Sequence, residues 1–517
     1  MNLTQQQFLP PSGLPRFLAE ASDFWKRGDY QQAAQALERA HQLRLSDEKI
    51  LLDLGMANAM NYDFAAAERF FENAIRVAPS KTDALMVVGQ NWRKLRHFEA
   101  ARHCFERVLQ QSHFPIPAIF KLAEIYERLR CPEKSEELID RALQLDGADG
   151  GALFARAEIY CRKRQWEDAE KLFRSILAKS QYRILHAATW NELGRIFDQQ
   201  GHYDQAWAAF LEGKALSILE AAPATAKLRV KQASAQQIQQ TISEKTVQAW
   251  RNFGEVQMRP ARKLAVLCGH ARSGTTLLEY VLDSHPQIVS ADETFVFFNK
   301  VHSFLSRSLP TPPPVVPLLD SMSGIKLRQI RSEYLRGIQS FLGQNIGDRL
   351  LLEKNPGLTS DLAVFLRVFP ESKFLVALRD PRDVCLSCFM QNAVIGTDSS
   401  SWLSLEGTVN NYASIMGFWL AMKPLLGAAA LEVRYEDMVE NLESNARRTL
   451  EFLGCSWDER VLRFDEHARN KIVRSPTYVE VSKPIYKTAV GRWQNYQKYF
   501  DPHQAKLAPF LSAFGYQ

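Results

Sequence analysis

The chain contains no uncharged apolar run reaching about 18 residues, the length a membrane-spanning helix needs, so no span is expected. Cysteine is scarce: 7 among 517 residues, scattered too thinly for a disulfide framework and suited to a reducing compartment. The opening residues MNLTQQQFLPPSG lack both the basic and the apolar segments of a secretory signal. A cytoplasmic location is therefore expected. A large charge imbalance is also missing. Against 64 Lys and Arg stand 58 Asp and Glu, and the net charge of +6 suits an anionic cofactor as well as a nucleic acid. Alone it decides nothing. Cys385 and Cys388 form a C-x-x-C without partners at ligand spacing, so no metal site is expected.

What is present is an ordinary globular composition, 46% hydrophobic and 24% charged, in a chain long enough for about two to four domains. The N-terminal part repeats itself. An aromatic residue follows a short polar turn at Tyr30, Phe64, Phe98, Trp166 and Tyr203, with Pro132 in the fourth slot and most steps 34 residues long. Three positions later stands a small side chain: Ala33, Ala67, Ala101, Ser135, Ala169 and Ala206. Seven positions later stands a large apolar one: Leu37, Phe71, Phe105, Ile139, Phe173 and Phe210. Nine positions before the aromatic comes Ala or Gly: Ala21, Gly55, Gly89, Ala123, Ala157 and Gly194. Six before it comes another aromatic at Phe24, Trp92, Tyr126, Tyr160 and Phe197, with Asn58 the exception.

Such spacing predicts pairs of antiparallel helices, small residues letting them approach and large ones filling the gaps. The six units resemble tetratricopeptide repeats over residues 14–218. The resemblance implies an all-α solenoid whose concave face takes an extended protein partner. Residues 219–262 lose the repeat and are rich in Gln, Ala and Lys. They are expected to form a helical linker, a basic partner-binding helix being the alternative.

At Lys263 the pattern changes. KLAVLC is a short apolar run of the kind that forms a buried parallel strand, and Gly269-His-Ala-Arg-Ser-Gly-Thr-Thr276 follows before an amphipathic stretch. Strand, glycine-bounded loop and helix make an anion cradle from loop amides and the helix N-terminus. The frame G-x-x-x-x-G is that of a nucleotide-triphosphate loop, but Thr275 and Thr276 stand where Lys-[Ser/Thr] would follow. The basic residue is instead Arg272, inside the loop. A second apolar run, FLVAL (374–378), leads into Arg379-Asp-Pro-Arg-Asp383. Proline at the third of these positions opens a helix, and Ser387 lies eight residues past Arg379, on the same helical face. An arginine fork at a strand's carboxyl end plus a hydroxyl is a phosphate clamp.

These two segments together resemble the 5′-phosphosulfate and 3′-phosphate sites of sulfotransferases that use 3′-phosphoadenosine-5′-phosphosulfate (PAPS). The region 263–517 is most similar to the protein-tyrosine sulfotransferases, and the whole chain resembles a bacterial-type sulfotransferase fused to tetratricopeptide repeats. The resemblance implies a P-loop-like α/β domain with a parallel central sheet. It implies PAPS binding by Gly269, Arg272, Ser273, Gly274, Thr275, Thr276, Arg379 and Ser387, with adenosine 3′,5′-bisphosphate as product and no metal. By match, Glu293 is the catalytic base, with Asp292 beside it as second choice, and Arg272 and Lys354 stabilise the moving group. Tyr435 of the Tyr-Glu-Asp element, Thr477 and Arg492 match cofactor contacts. Thr477 and Arg492 replace a serine and a lysine, keeping hydroxyl and charge. His285 and His467 are read as structural.

One departure bears on the acceptor. Phe295 stands where the tyrosine-sulfating enzymes carry an arginine that receives acidic peptides. The acceptor classes implied are a protein or peptide hydroxyl or amine, tyrosine included, or alternatively a glycan, lipid or small metabolite. A kinase with a divergent triphosphate loop and a non-catalytic repeat scaffold are the remaining readings. No nucleic-acid partner is expected. The proline-rich PTPPPVVP (310–317) is expected to be an insertion loop.

Overall fold

The computed structural model describes residues 13–112, 115–258, 262–302, 314–470 and 485–517. Thr477 lies outside them. Among the described residues no helix is long and apolar enough to cross a membrane.

The repeats form twelve helices: α1 (Leu14–Lys26), α2 (Tyr30–Leu43), α3 (Glu48–Met60), α4 (Phe64–Val77), α5 (Lys81–Lys94), α6 (Phe98–Gln111), α7 (Ile116–Arg128), α8 (Pro132–Leu145), α9 (Gly150–Arg162), α10 (Trp166–Lys179), α11 (Arg183–Gln199) and α12 (Tyr203–Ser217). Each recurring aromatic, and Pro132, opens the second helix of its pair. The small positions are small because a ring lies on them. A Cβ added to Gly55 would sit 2.4 Å from Phe71, one on Gly89 2.8 Å from Phe105, and one on Gly194 2.7 Å from Phe210. Asp29, Asp47, Asp63, Ser80 and Asp149 cap helix starts by accepting a backbone N–H. The turn within each pair uses one left-handed residue: Gly28, Tyr62, Arg96, Arg130, Arg164 and Gly201. The following N–H then bonds back to the carbonyl of the residue six before the aromatic, as Asp63 does to Asn58 and His97 to Trp92, both at 2.9 Å.

The chain folds as two compact units. Of the described residues, one holds those within 13–138, 295–302 and 328–345; the other holds the rest. In the first unit, segments distant in sequence converge on the turn of the second repeat. Tyr62 is buried, its hydroxyl accepts from Asn299 at 3.0 Å, and its carbonyl accepts from the Ser340 hydroxyl. Lys300 bonds to Asn61, and the Phe341 ring meets the Tyr62 ring edge-on at 6.5 Å.

The second unit contains a five-stranded parallel sheet: β1 (Leu264–Gly269), β2 (Ile288–Asp292), β3 (Leu350–Lys354), β4 (Lys373–Leu378) and β5 (Ala430–Arg434), in the order β2-β3-β1-β4-β5. β1 to β3 are buried along their whole length, which explains the unbroken apolar run of β1, while β2 and β3 end in the buried charged residues Asp292, Glu353 and Lys354. Leu267, Leu352, Leu375 and Val433 pack on one face against Leu278, Val281 and Leu282 of α15 (Thr275–Asp283). In this order the strand that follows β1 lies on one side of the β1–β4 pair and the strand that follows β4 lies on the other. A ligand crevice is expected where they part, beyond the carboxyl ends of β1 and β4.

The expected linker is two helices, α13 (Ala222–Thr241) and α14 (Glu244–Gln257), seated within this unit. Gln232 bonds to Asn411 at 3.1 Å, Trp250 to Asp320 at 2.6 Å, and Gly254 lies against Pro370. The end of the proline-rich stretch, expected as loop, starts a helix at Val315–Asp320; residues 310–313 are outside the described set.

Candidate active site at the carboxyl edge of the sheet

The loop after β1 is shaped by its two glycines. Gly269 has φ 132°, and a Cβ there would lie 2.4 Å from the Ala377 carbonyl oxygen. Gly274 has φ 87°, and a Cβ would strike the Tyr435 ring at 2.6 Å. Both demand a residue without a side chain. The Thr359 hydroxyl braces the loop's entry, accepting from Gly269 N at 2.8 Å and donating to its carbonyl at 2.7 Å. Ser273 is buried at the loop's end, as are Thr275 and Thr276 in the first turn of α15.

Outside the repeat turns, two non-glycine residues among those described take left-handed backbone: Arg272 at φ 70° and Glu293 at φ 45°. Such geometry costs about 1–3 kcal/mol and gathers at functional sites. Both are residues singled out for chemistry.

Arg272 and the second arginine segment meet. Arg272 Nε donates to Ser387 Oγ at 3.1 Å, and Arg379 Nη1 donates to the Arg272 carbonyl at 3.2 Å. Ser387 sits on α16 (Pro381–Phe389), which begins directly beyond β4. Arg379 also donates to the Ala489 carbonyl, lies 3.8 Å from Asp383 and covers the Tyr435 ring at 5.2 Å. Its Nε is buried with no hydrogen-bond partner among the described residues. A buried, unsatisfied guanidinium N–H beside a helix N-terminus and a second arginine fits a phosphorylated ligand. The residues present therefore suit a phosphate-bearing ligand.

At the end of β3, the strand paired with β1, is an ionic cluster. Lys354, at the end of β3, has a fully buried side chain. Its Nζ lies 2.7 Å from Glu293 Oε1, 3.2 Å from Asp292 Oδ1 and 3.2 Å from Glu279 Oε2. Burial would lower its pKa, but the three carboxylates outweigh that and hold the ammonium above the ordinary lysine value. The carboxylates differ in access: the Glu293 side chain is 20% exposed, those of Asp292 and Glu279 only 2% and 1%. Glu293 N donates to the Lys354 carbonyl at 2.9 Å, which ties the acidic turn to β3.

Tyr435 lies between the loop and Arg379. Arg492 is bound to Asp198 at 2.6 Å. His285 binds the Ser456 carbonyl at 2.9 Å and His467 binds Asp283 at 2.7 Å, contacts that tie separate segments of the unit together. Cys385 and Cys388 are buried free thiols, raised by burial. Among the described residues no group of three or more His, Cys, Asp or Glu is arranged for a metal ion. Phe295 is 56% exposed. Sequence reasoning missed Glu279, although an acid on the apolar helix TTLLEYVL was a visible signal. It also missed Thr359 and Asp383, which carried none.

Residues 265–459 match the model of the sulfotransferase family, and residues 18–84, 120–184 and 154–221 match that of the tetratricopeptide repeat. An uncharacterised protein of Aquifex aeolicus is 26% identical over 253 residues, 47% of this chain and 32% of that protein. Protein-tyrosine sulfotransferase 2 of Gallus gallus is 26% identical over 297 residues, 53% of this chain and 75% of that protein. A solved sulfotransferase of Mycobacterium avium is 17% identical and aligns over 53% of this chain and 82% of its own, with TM-score 0.33. The chain thus spans about a third of the first relative's length and about three quarters of the second's.

Proposed function

We propose, from the sulfotransferase-family domain carried behind tetratricopeptide repeats, that this protein transfers a sulfonate group from PAPS to an acceptor hydroxyl or amine. PAPS supplies the activated sulfonate on a phosphate leaving group. The amides of residues 269–276 and Arg272 hold its 5′-phosphosulfate. Arg379 and Ser387 hold the 3′-phosphate, and Tyr435 lines the space between. Thr477 is proposed as a further cofactor contact from the sequence match alone, and Arg492 by the same match, although it is now paired with Asp198. The observation that carries the reading is the meeting of Arg272, Ser387 and Arg379, with one buried guanidinium N–H left over for an anion.

Glu293 accepts the acceptor's proton, because it alone of the three carboxylates on Lys354 is appreciably exposed. Lys354, held protonated, is tethered to Glu293 until that proton arrives. Neutralising Glu293 weakens the tether and frees the ammonium to face the charge that develops on the departing oxygen. Base and electrostatic stabiliser are thereby coupled through one 2.7 Å contact.

The acceptor is proposed to be a protein chain recruited by the repeats, residues 14–218, with residues 263–517 doing the chemistry. Phe295, exposed where an acid-binding arginine stands in the tyrosine-sulfating enzymes, favours an acceptor without acidic flanks. Incubating the protein with labelled PAPS and a cell lysate tests this. Label in protein supports the proposal; label only in glycan, lipid or small molecules moves the acceptor to that class. Calorimetry with adenosine 3′,5′-bisphosphate against ATP tests the cofactor: preference for ATP would favour a kinase.

A further inference from the structure

The last repeat reaches the framework of the nucleotide crevice through one carboxylate. Asp198, near the end of α11, has a side chain only 8% exposed. Its Oδ2 accepts from Arg492 at 2.6 Å and its Oδ1 from the Tyr496 hydroxyl at 2.8 Å. Just before and within that segment, the backbone is bound to the phosphate-site junction. Gly491 N and Trp493 N donate to the two oxygens of Asp383 at 2.7 and 2.9 Å, and the Ala489 carbonyl accepts from Arg379. Asp383 and Arg379 are themselves 3.8 Å apart. A continuous set of contacts therefore runs from the repeat's carboxylate, through residues 489–496, to the arginine at the end of β4.

The same repeat holds the far end of α16, the helix that carries Ser387. Asn191 donates to the Met390 carbonyl at 3.3 Å, and Lys214 donates to the Gln391 carbonyl. Trp207 packs on Phe389 at 4.5 Å and stacks on Tyr499 at 4.0 Å. These carbonyls lie past the last turn of a helix, where donors from outside are needed. α11 and α12 thus support both ends of the segment that presents Arg379 and Ser387.

Arginine has several rotatable bonds, and a guanidinium receives phosphate well only when its fork is already oriented. Two of the anchors that orient Arg379, the Ala489 carbonyl and Asp383, depend on the path of residues 489–493. Asp198 fixes the other side of that path. It touches no residue of the loop 269–276.

We propose that Asp198 is a positioning residue for the 3′-phosphate site, acting through Arg492 and Tyr496 to hold residues 489–493 and, through them, the Arg379 guanidinium. The last repeat is on this account a built-in part of the nucleotide-binding unit. The proposal rests on the reading that the crevice binds a 3′-phosphorylated adenosine.

Calorimetric titration of the full chain with adenosine 3′,5′-bisphosphate tests it. Asp198→Ala should raise Kd by about tenfold or more, and raise KM for PAPS alike, with kcat within about twofold of wild type. Adenosine 5′-monophosphate, which has no 3′-phosphate, should bind both forms within about a factor of two. Asp198→Asn keeps an acceptor for Tyr496 and should fall between. Adding Tyr496→Phe to Asp198→Ala should change little, because the path is already broken. Asp204→Ala removes an exposed acid of the same repeat, paired with Lys498 at 2.7 Å, and should leave Kd unchanged. Wild-type Kd in Asp198→Ala, or a lowered melting point with unchanged Kd, overturns the proposal and leaves the crevice reading intact. No binding of adenosine 3′,5′-bisphosphate by the wild type overturns the crevice reading itself. If Asp198→Ala does not fold, Asp198→Asn decides by the same measurements.

Discussion

The Lys354 ammonium, fully buried, bonds Glu293 at 2.7 Å, and this single contact joins the two groups assigned to proton removal and charge stabilisation. Glu293 also sits on left-handed backbone, so its carboxylate is aimed by strain as well as by charge. Glu293→Ala should therefore abolish turnover, by at least about a hundredfold, while adenosine 3′,5′-bisphosphate still binds. Turnover near wild type would remove the base assignment. Asp292→Asn, at a nearly inaccessible carboxylate, should instead be read mainly in stability.

Removing the lysine leaves three carboxylates without their cation. Lys354→Met should destabilise the fold by about 3–5 kcal/mol, measured by denaturant unfolding. The pH dependence has a defined sign. The folded pKa of Lys354 lies above its unfolded value, so its contribution is complete below about pH 10 and is lost only as pH rises beyond that. The stability difference between wild type and Lys354→Met should therefore hold steady up to about pH 10 and shrink above it. A difference that does not shrink there would contradict the charge account.

His270, in the loop after β1, gives a test of opposite sign. Burial pushes its pKa down to about 4, against an ordinary 6.5. The unfolded chain takes up the proton first, so stability present above pH 6.5 is lost as pH falls toward 4. The loss should reach about 3 kcal/mol at most, and His270→Asn should flatten this window in unfolding experiments. An unchanged profile would mean that other groups govern it.

The loop glycines predict separable failures. Gly269→Ala places a methyl against the Ala377 carbonyl at 2.4 Å, backbone on backbone with nothing to yield. It should cost about 2 kcal/mol or more in stability. Gly274→Ala meets the Tyr435 ring, which can shift, and should be felt more in nucleotide affinity than in melting temperature. Equal effects of the two on stability would argue against this division.

Arg379→Ala removes the guanidinium with the unsatisfied Nε. It should weaken adenosine 3′,5′-bisphosphate by at least about tenfold and adenosine 5′-monophosphate much less, since charge-assisted bonds to phosphate are worth about 1.5–3 kcal/mol. Equal losses for both ligands would place Arg379 elsewhere than at the 3′-phosphate.

Much of this was legible in the residues. The repeat positions reported close packing directly, because a glycine or alanine every 34 residues has meaning only if a ring lies on it, as Phe71 does on Gly55. The loop after β1, Arg379 and Ser387 were also readable, since a strand, a basic residue and a helix start are local signals. Pairing was not readable. Nothing near Lys354 in sequence announces Glu279 on α15 as its third carboxylate, and nothing near Arg492 announces Asp198, 294 residues away. The turn residues Tyr62, Arg96, Arg130 and Arg164 were equally hidden, because a left-handed backbone in a non-glycine residue leaves no mark on side-chain periodicity.

The amino-acid order alone determined which segments become strands, helices and loops, and which side chains carry charge to a strand's end, because those depend on spacing and on neighbours a few residues away. Tertiary structure alone decided the order β2-β3-β1-β4-β5, and with it that the loop after β1 lies between the acids after β2 and the arginine after β4. It also decided that Arg492 answers to a repeat helix. The physical reason is that a long-range ion pair is chosen by burial and geometry in the folded chain, and any of several acids would have satisfied the sequence.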